Sequence, residues 1–193
     1  MVFEKIKQAI MADPLNKSFT DQGIEPLYKV SAEAVIVLVG QAPGRIAQET
    51  NMVWNDISGD RLREWMGVSR EEFYESEKIA HMPMDFYYPG KSQKGDNPPR
   101  KGFAEKWHPL LLEEMPKVKT IVLIGSYAQA FYLKDKREKN LTLTVKNHLK
   151  YLPRFFPLVH PSPLNLGWFR KNPWFEEEVI PIFKILIRQK INA

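Results

Sequence analysis

The sequence predicts an α/β fold of three layers, in which helices cover both faces of a central, mainly parallel sheet of four strands. Two observations predict it. Continuous apolar runs at residues 34–39 and 120–124 are rich in β-branched side chains, which is typical of strands buried on both faces of a parallel sheet. Helical patterns separate these runs, and such alternation indicates helices on both sides. We expect one domain over residues 1–193.

Four strands are expected. The first is the run 34–39, which leads directly into a glycine-bracketed turn, and residues 78–84 are a weaker candidate for the second. The third, 120–124, ends at Gly-Ser. The fourth spans 154–159 and contains Pro157, which favours an irregular or edge strand because proline cannot donate a ladder hydrogen bond.

Helices are predicted between and around the strands. Apolar residues at helical spacing indicate a short amphipathic helix near the N-terminus, and the Ser-Arg-Glu-Glu sequence at 69–72 matches a capping box. Two longer helices are expected over 102–115 and 174–191. Residues 88–102 are rich in proline and cations, and we expect them to form a surface loop.

The composition excludes several kinds of site. The chain has no cysteine, which rules out disulfides, thiolate catalysis and cysteine-held iron–sulfur clusters, and with four histidines we expect neither a metal nor a cofactor. No apolar run approaches the roughly 18–20 residues that span a bilayer. We see no secretory signal and expect a cytoplasmic monomer without membrane contact. A net charge of +5 mildly favours a polyanionic partner.

Unusual residues follow three of the predicted strands, where ligands of open parallel sheets bind. The first loop, residues 40–44, reads Gly-Gln-Ala-Pro-Gly, and its backbone amides either face a ligand or only connect two elements. The second loop, residues 160–165, reads His-Pro-Ser-Pro-Leu-Asn. Its prolines suit accurate placement of a histidine that donates to a developing anion, or the histidine only caps a strand. We interpret His81, His108 and His148 as structural or solvated.

Together these loops resemble those of the uracil-DNA glycosylase superfamily, over about residues 35–168. Trp54 and the Ser58-Gly59 pair that follows it are similar to the aromatic and Ser-Gly positions of the iron–sulfur members. The second loop, with Gly167-Trp168 after it, is most similar to the single-strand-selective monofunctional uracil glycosylases. Without cysteines, the chain would be a member that lacks the cluster.

The resemblance implies a monofunctional DNA glycosylase that flips uracil or a related deaminated base out of DNA and hydrolyses its N-glycosidic bond, as in base excision repair. It implies that His160 stabilises the departing base anion, that Gln41 orients water and that Trp54 stacks on the flipped base. The other implied base-pocket residues are Gly40, Ala42, Pro43 and Gly44. The implied DNA contacts are Ser58, Ser126, Pro161, Ser162, Leu164, Asn165, Lys91, Lys94 and Arg100.

The sequence also departs from the pattern of these relatives. Gln41 and Ala42 stand where relatives carry an acidic residue or asparagine that handles water, and glutamine cannot act as a base. Glu49 is a possible substitute. No clear counterpart of the uracil-reading asparagine lies near residues 82–86. Two alternatives therefore stay open, a weak or inactive glycosylase-fold protein that binds nucleic acid, and an enzyme that processes nucleosides or nucleotides in the same pocket.

Overall fold

Within residues 2–93 and 95–193, which the computed structural model describes, four parallel strands form the central sheet. The strands are β1 (Ile36–Val39), β2 (Ile79–His81), β3 (Lys91–Ser92), β4 (Gly95–Asp96), β5 (Thr120–Ile124) and β6 (Phe155–Leu158); β3 and β4 form a separate hairpin. The helices are α1 (Val2–Ala12), α2 (Lys17–Thr20), α3 (Arg45–Glu49), α4 (Ile57–Met66), α5 (Arg70–Glu75), α6 (Phe103–Glu113), α7 (Ser126–Leu133), α8 (Leu141–Lys146), α9 (Leu166–Lys171) and α10 (Ile180–Asn192).

The central sheet has the order β2-β1-β5-β6, and every neighbouring pair in it is parallel. Side chains of β1 alternate between its two faces, since successive residues of a strand point in opposite directions. Ile36 and Leu38 enter the core beneath α4 and α10, whereas Val37 and Val39 enter the core beneath α1, α6 and α7. Two cores on opposite faces confirm the predicted three-layer α/β/α fold.

Local signals explain several of the element boundaries. Ser69 and Glu72 form the predicted capping box at the start of α5, with each side chain accepting from the backbone N–H of the other residue. Pro157 lies in β6 at the edge of the sheet, as the sequence predicts. Because β6 has a neighbouring strand on one side only, the missing N–H of the proline does not interrupt the hydrogen bonds of an inner strand. No helix in the described ranges is both long enough and apolar enough to cross a membrane.

Two predicted segments differ from the observed fold. The second strand is regular only over residues 79–81, because the chain then bends across the end of β1, where Met84 donates its backbone N–H to the carbonyl oxygen of Gly40. The predicted loop 88–102 contains the hairpin of β3 and β4. Gly95, the first residue of β4, has a φ of 125°, in a region that glycine adopts readily.

The topology brings the predicted functional loops to one edge. Since the four central strands are parallel, their carboxyl ends lie together, with the first loop after β1 and the second loop after β6. The chain runs from β1 to β2 on one side and returns to β5 on the other. The sheet therefore has a switch point between β1 and β5, where open α/β sheets bind ligands.

Candidate active site

A pocket of about 260 Å³ opens at this edge, between the first and second loops. Backbone and short side chains of the first loop form one part of its wall, and the rings of Trp54 and His160 form another. The predicted site residues that line it are Gly40, Ala42, Pro43, Gly44, Trp54, Ser58, His160 and Ser162. The structure thus brings together most of the residues implied to hold the base, from segments more than a hundred positions apart.

Trp54 is held in a conformation that two glycines permit. Its φ of 55° lies in the left-handed region, which bulky residues rarely adopt. A Cβ at Gly40 would lie 2.8 Å from Cζ2 of the indole, and a Cβ at Gly59 would lie 1.8 Å from the Trp54 carbonyl oxygen. The Tyr74 hydroxyl donates to that same oxygen at 3.1 Å. The glycines of both motifs are therefore required by the packing of this tryptophan.

The indole faces the histidine of the second loop. The ring centroids of Trp54 and His160 are 5.6 Å apart, with the planes tilted by 34°. Both rings line the same pocket, so a flat ligand that enters it meets an aromatic surface and an imidazole together. This arrangement combines a stacking surface with a hydrogen-bonding group.

Hydrogen bonds fix the backbone of the second loop around His160. The Asn165 side-chain amide donates to the His160 carbonyl oxygen at 2.8 Å, and Arg61 donates to the Pro161 carbonyl oxygen at 3.1 Å. The Ser162 hydroxyl oxygen accepts a hydrogen bond from the backbone N–H of Leu164. Ser162 is thereby the N-cap of a short 3₁₀ helix over Pro163–Asn165. The histidine is therefore positioned by a rigid loop, as its two prolines predict.

The surroundings of His160 favour its neutral form. Burial lowers the pKa of His160 below its ordinary value, while the negative charges of Asp56 and Asp96 oppose this shift without cancelling it. A neutral imidazole still carries one N–H donor. It can therefore hydrogen-bond an oxygen that gains negative charge, without first taking up a proton.

The sequence analysis missed five residues of the pocket wall. Ala47, Val53 and Pro83 contribute apolar surface, and Asp56 and Asp96 contribute carboxylates. Asp56 had a local signal, since it stands two residues before the Ser58-Gly59 pair and aspartate is a typical N-cap at the start of a helix. Asp96 had none, because it reaches the pocket only through the hairpin of β3 and β4.

Gln41 does not line the pocket with its neighbours in the first loop. Its side-chain amide donates to the backbone carbonyl of Asn97 at 2.9 Å, which ties the first loop to the end of the hairpin. Gln41 instead borders two adjoining clefts, one of which it shares with Ser126 and Asn165. The structure thus gives this amide a positioning contact, where the sequence implied contact with water.

Arg100 has a structural position, unlike the DNA contact that the sequence implied for it. Its guanidinium donates to both carboxylate oxygens of the fully buried Asp85, at 2.7 and 2.8 Å, and to the Asn16 side-chain oxygen at 2.8 Å. It also lies 4.7 Å from the centre of the Phe103 ring. Its donors are therefore committed to holding the proline-rich segment on the fold.

The remaining predicted DNA contacts have varied positions. Ser126 is exposed at the start of α7, Lys91 is exposed in β3, and Leu164 is 87% exposed at the tip of the second loop. Pro161 is buried, so its side chain is part of the loop's support and does not offer a surface for DNA. Lys94 lies outside the described residues.

The other histidines have the structural positions that the sequence indicates. His81 and His108 are buried and bond to the backbone oxygens of Phe73 and Pro83. His148 is also buried, and its ring bonds to a backbone oxygen one turn earlier. In the part of the chain that the structure describes, no group of three or more His, Cys, Asp or Glu side chains could hold a metal ion.

Fold and pocket define a parallel α/β protein whose ligand site is assembled from loops at the carboxyl edge of the sheet. A sequence model described as the uracil DNA glycosylase superfamily matches residues 27–184, and the chain belongs to that superfamily. This membership supports the class of enzyme, a DNA glycosylase. The chain is also similar to the NMR structure of a candidate uracil DNA glycosylase from Methanosarcina acetivorans, at 16% identity and a TM-score of 0.47, over 81% of this chain and 93% of that one.

Proposed function

We propose that the protein is a monofunctional DNA glycosylase that hydrolyses the N-glycosidic bond of uracil or a related deaminated base in DNA and leaves an abasic site. The observation that carries this proposal is that the rings of Trp54 and His160 lie next to each other in the wall of one pocket, with centroids 5.6 Å apart. A stacking surface and a neutral hydrogen-bond donor are the two groups that a departing planar base needs.

In the reaction, the bond between sugar and base breaks with its electron pair moving to the base, which departs as an anion. The imidazole of His160 donates a hydrogen bond to a carbonyl oxygen of that base as negative charge develops there. This bond strengthens toward the transition state, so it accelerates the reaction more than it aids binding. Trp54 holds the base by stacking, and contacts of this kind contribute about 1–3 kcal/mol each.

Binding of DNA is supported by two features of the surface. The net charge of +5 favours an anionic partner. Leu164 is 87% exposed on the second loop, next to the pocket, and an apolar side chain in that place suits the gap left by an extruded base. We therefore propose that the protein acts on DNA that carries a deaminated base.

The test is release of a base from labelled single-stranded and double-stranded oligonucleotides that each carry one uracil. Alkali then cleaves the strand wherever an abasic site has formed. We expect His160→Ala to slow product formation by at least a hundredfold while the affinity for DNA changes little, because the lost contact acts mainly in the transition state. Thermal melting of the variant shows whether it is folded.

The outcomes distinguish the candidate functions. No product from the wild-type protein with uracil, hypoxanthine or xanthine in either strand form would contradict the proposal. Salt-dependent DNA binding without base release would then indicate a nucleic-acid-binding protein. Turnover of free nucleosides without affinity for DNA would indicate a nucleoside-processing enzyme.

A further inference from the structure

The pocket holds a carboxylate that the first loop does not supply. Asp56 lies directly before α4 and lines the pocket together with His160 and the glycines of the first loop. A Cβ placed on Gly44 would lie 3.7 Å from Oδ2 of Asp56, so this oxygen lies beside the backbone of the first loop. The side chain thus places a carboxylate in the pocket next to the first loop, whose own side chains are not acidic.

The position of this carboxylate is fixed by the helix that follows it. Oδ1 of Asp56 accepts the backbone N–H of Gly59 at 2.8 Å, as the N-cap of α4. Gly59 is itself held against the Trp54 carbonyl, with no room for a Cβ. One oxygen therefore anchors the carboxylate and the other lies beside the first loop, which is the kind of preorganisation that catalysis requires.

We infer that Asp56 is the catalytic carboxylate of this site, a role that rests on the glycosylase function proposed above. When the bond between C1′ of the sugar and the base nitrogen breaks, both electrons leave with the base, and the sugar becomes an oxocarbenium cation. The negative charge of Asp56 stabilises this cation. A water oxygen then forms a new bond to C1′, and Asp56 accepts the proton that the water loses. That proton later passes to the solvent or to the base anion.

Other candidates fit this role less well. The amide of Gln41 cannot accept the proton and is engaged with Asn97. Glu49 is exposed, pairs with Arg45 at 2.9 Å and does not line the pocket. Asp96 lines the pocket, but it lies exposed on the hairpin, where its carboxylate accepts a hydrogen bond from the Tyr88 hydroxyl at 3.3 Å.

The experiment compares Asp56→Asn with the wild-type protein under single-turnover conditions, on whichever base-modified oligonucleotide the wild-type protein cleaves. Asparagine has the same shape and is an equally good N-cap, so α4 keeps its capping bond. We expect the maximal rate to fall about a hundredfold or more. The protein concentration that gives half this rate should stay the same or decrease, because a negative charge near the DNA has been removed.

Two further variants give the controls. Asp60→Asn makes the same change in the same helix, at an exposed side chain that pairs with Arg63 outside the pocket, and its rate should match the wild type. Asp96→Asn tests the second carboxylate and should reduce the rate by less than Asp56→Asn does. If Asp56→Asn melts early, Asp56→Ser keeps a capping hydroxyl and leaves space for added formate, which should restore part of the rate.

The results separate this inference from the proposed function. An Asp56→Asn protein that is folded and as fast as the wild type would overturn the role of Asp56 while the glycosylase function stands. A larger loss in Asp96→Asn than in Asp56→Asn would assign the role to the hairpin and also overturn it. If the wild-type protein releases no base from any DNA, the proposed function fails, and the role of Asp56 fails with it.

Discussion

The substitution Gly59→Ala tests whether Trp54 is held as the structure has it. The new Cβ would lie 1.8 Å from the Trp54 carbonyl oxygen, whereas a carbon and an oxygen in contact are about 3.3 Å apart. One of the two backbone segments must therefore move by about 1.5 Å. The obstacle is backbone, so a change of rotamer cannot relieve it, and the bond from the Tyr74 hydroxyl to this oxygen is disturbed as well.

The expected cost is about 3 kcal/mol, at the upper end of the range for overpacking. For a chain of 193 residues this lowers Tm by roughly 6–12 °C, which differential scanning calorimetry measures directly. Gly167→Ala is the matched control, because nothing lies within 4 Å of its Cβ and alanine favours helix α9, so its Tm should not fall. If Gly59→Ala melts within about 2 °C of the wild type, the left-handed conformation of Trp54 and its contact with α4 are refuted.

Three further predictions concern the pocket and the core. Trp54→Ala should raise the Kd for single-stranded uracil-containing DNA by roughly 5–150-fold, the equivalent of about 1–3 kcal/mol, as measured by fluorescence anisotropy; an unchanged Kd would make the indole only a structural wall. Asn165→Ala removes the donor to the His160 carbonyl and should lower the rate about tenfold with little change in Kd. A raised Kd with an unchanged rate would instead support the direct DNA contact that the sequence implied for Asn165. Burial lowers the pKa of His81 to about 3 and of His108 to about 4, so below pH 6.5 the unfolded chain takes up protons at these side chains that the fold does not. The free energy of unfolding in urea should therefore fall by about 2 kcal/mol per histidine between pH 7 and pH 5, and a flat profile would contradict their burial in the neutral form.

The layers of the fold are predictable because burial leaves a direct trace in the sequence. A strand covered on both faces is apolar at nearly every position; β1 shows this over its whole length and β5 shows it from Ile121 onward. Pro157 predicts its own edge strand, since a residue without an N–H is not tolerated inside a sheet. The hairpin of β3 and β4 leaves little such trace, because its two-residue strands are mostly exposed and have no apolar alternation.

Only part of the site can be predicted from the sequence. Some of its residues are placed by the order of the strands, whereas others are placed by contacts that form only in the folded chain. The first and second loops follow buried strands, so their proximity follows from the parallel topology. Arg100 illustrates the opposite case. It lies in a cation-rich segment, for which the sequence predicts an exposed charge. In the structure it pairs with Asp85, which is fully buried and lies fifteen positions earlier. Charge pairing across a fold depends on tertiary distances, and the local pattern of residues does not contain them.

In this chain, one glycine of the first loop and the glycine of the Ser-Gly pair serve mainly to make room for one tryptophan, Trp54. Gly40 leaves room for the indole and Gly59 leaves room for the Trp54 carbonyl, so the spacing from the first loop to the Ser-Gly pair is set by steric fit. Neither contact involves the side chain of Gln41 or Ala42, so the residue types at these two positions can change without altering how Trp54 is packed. The reacting groups need only reach the same pocket, and a helix cap or a hairpin can supply them as well as the first loop can.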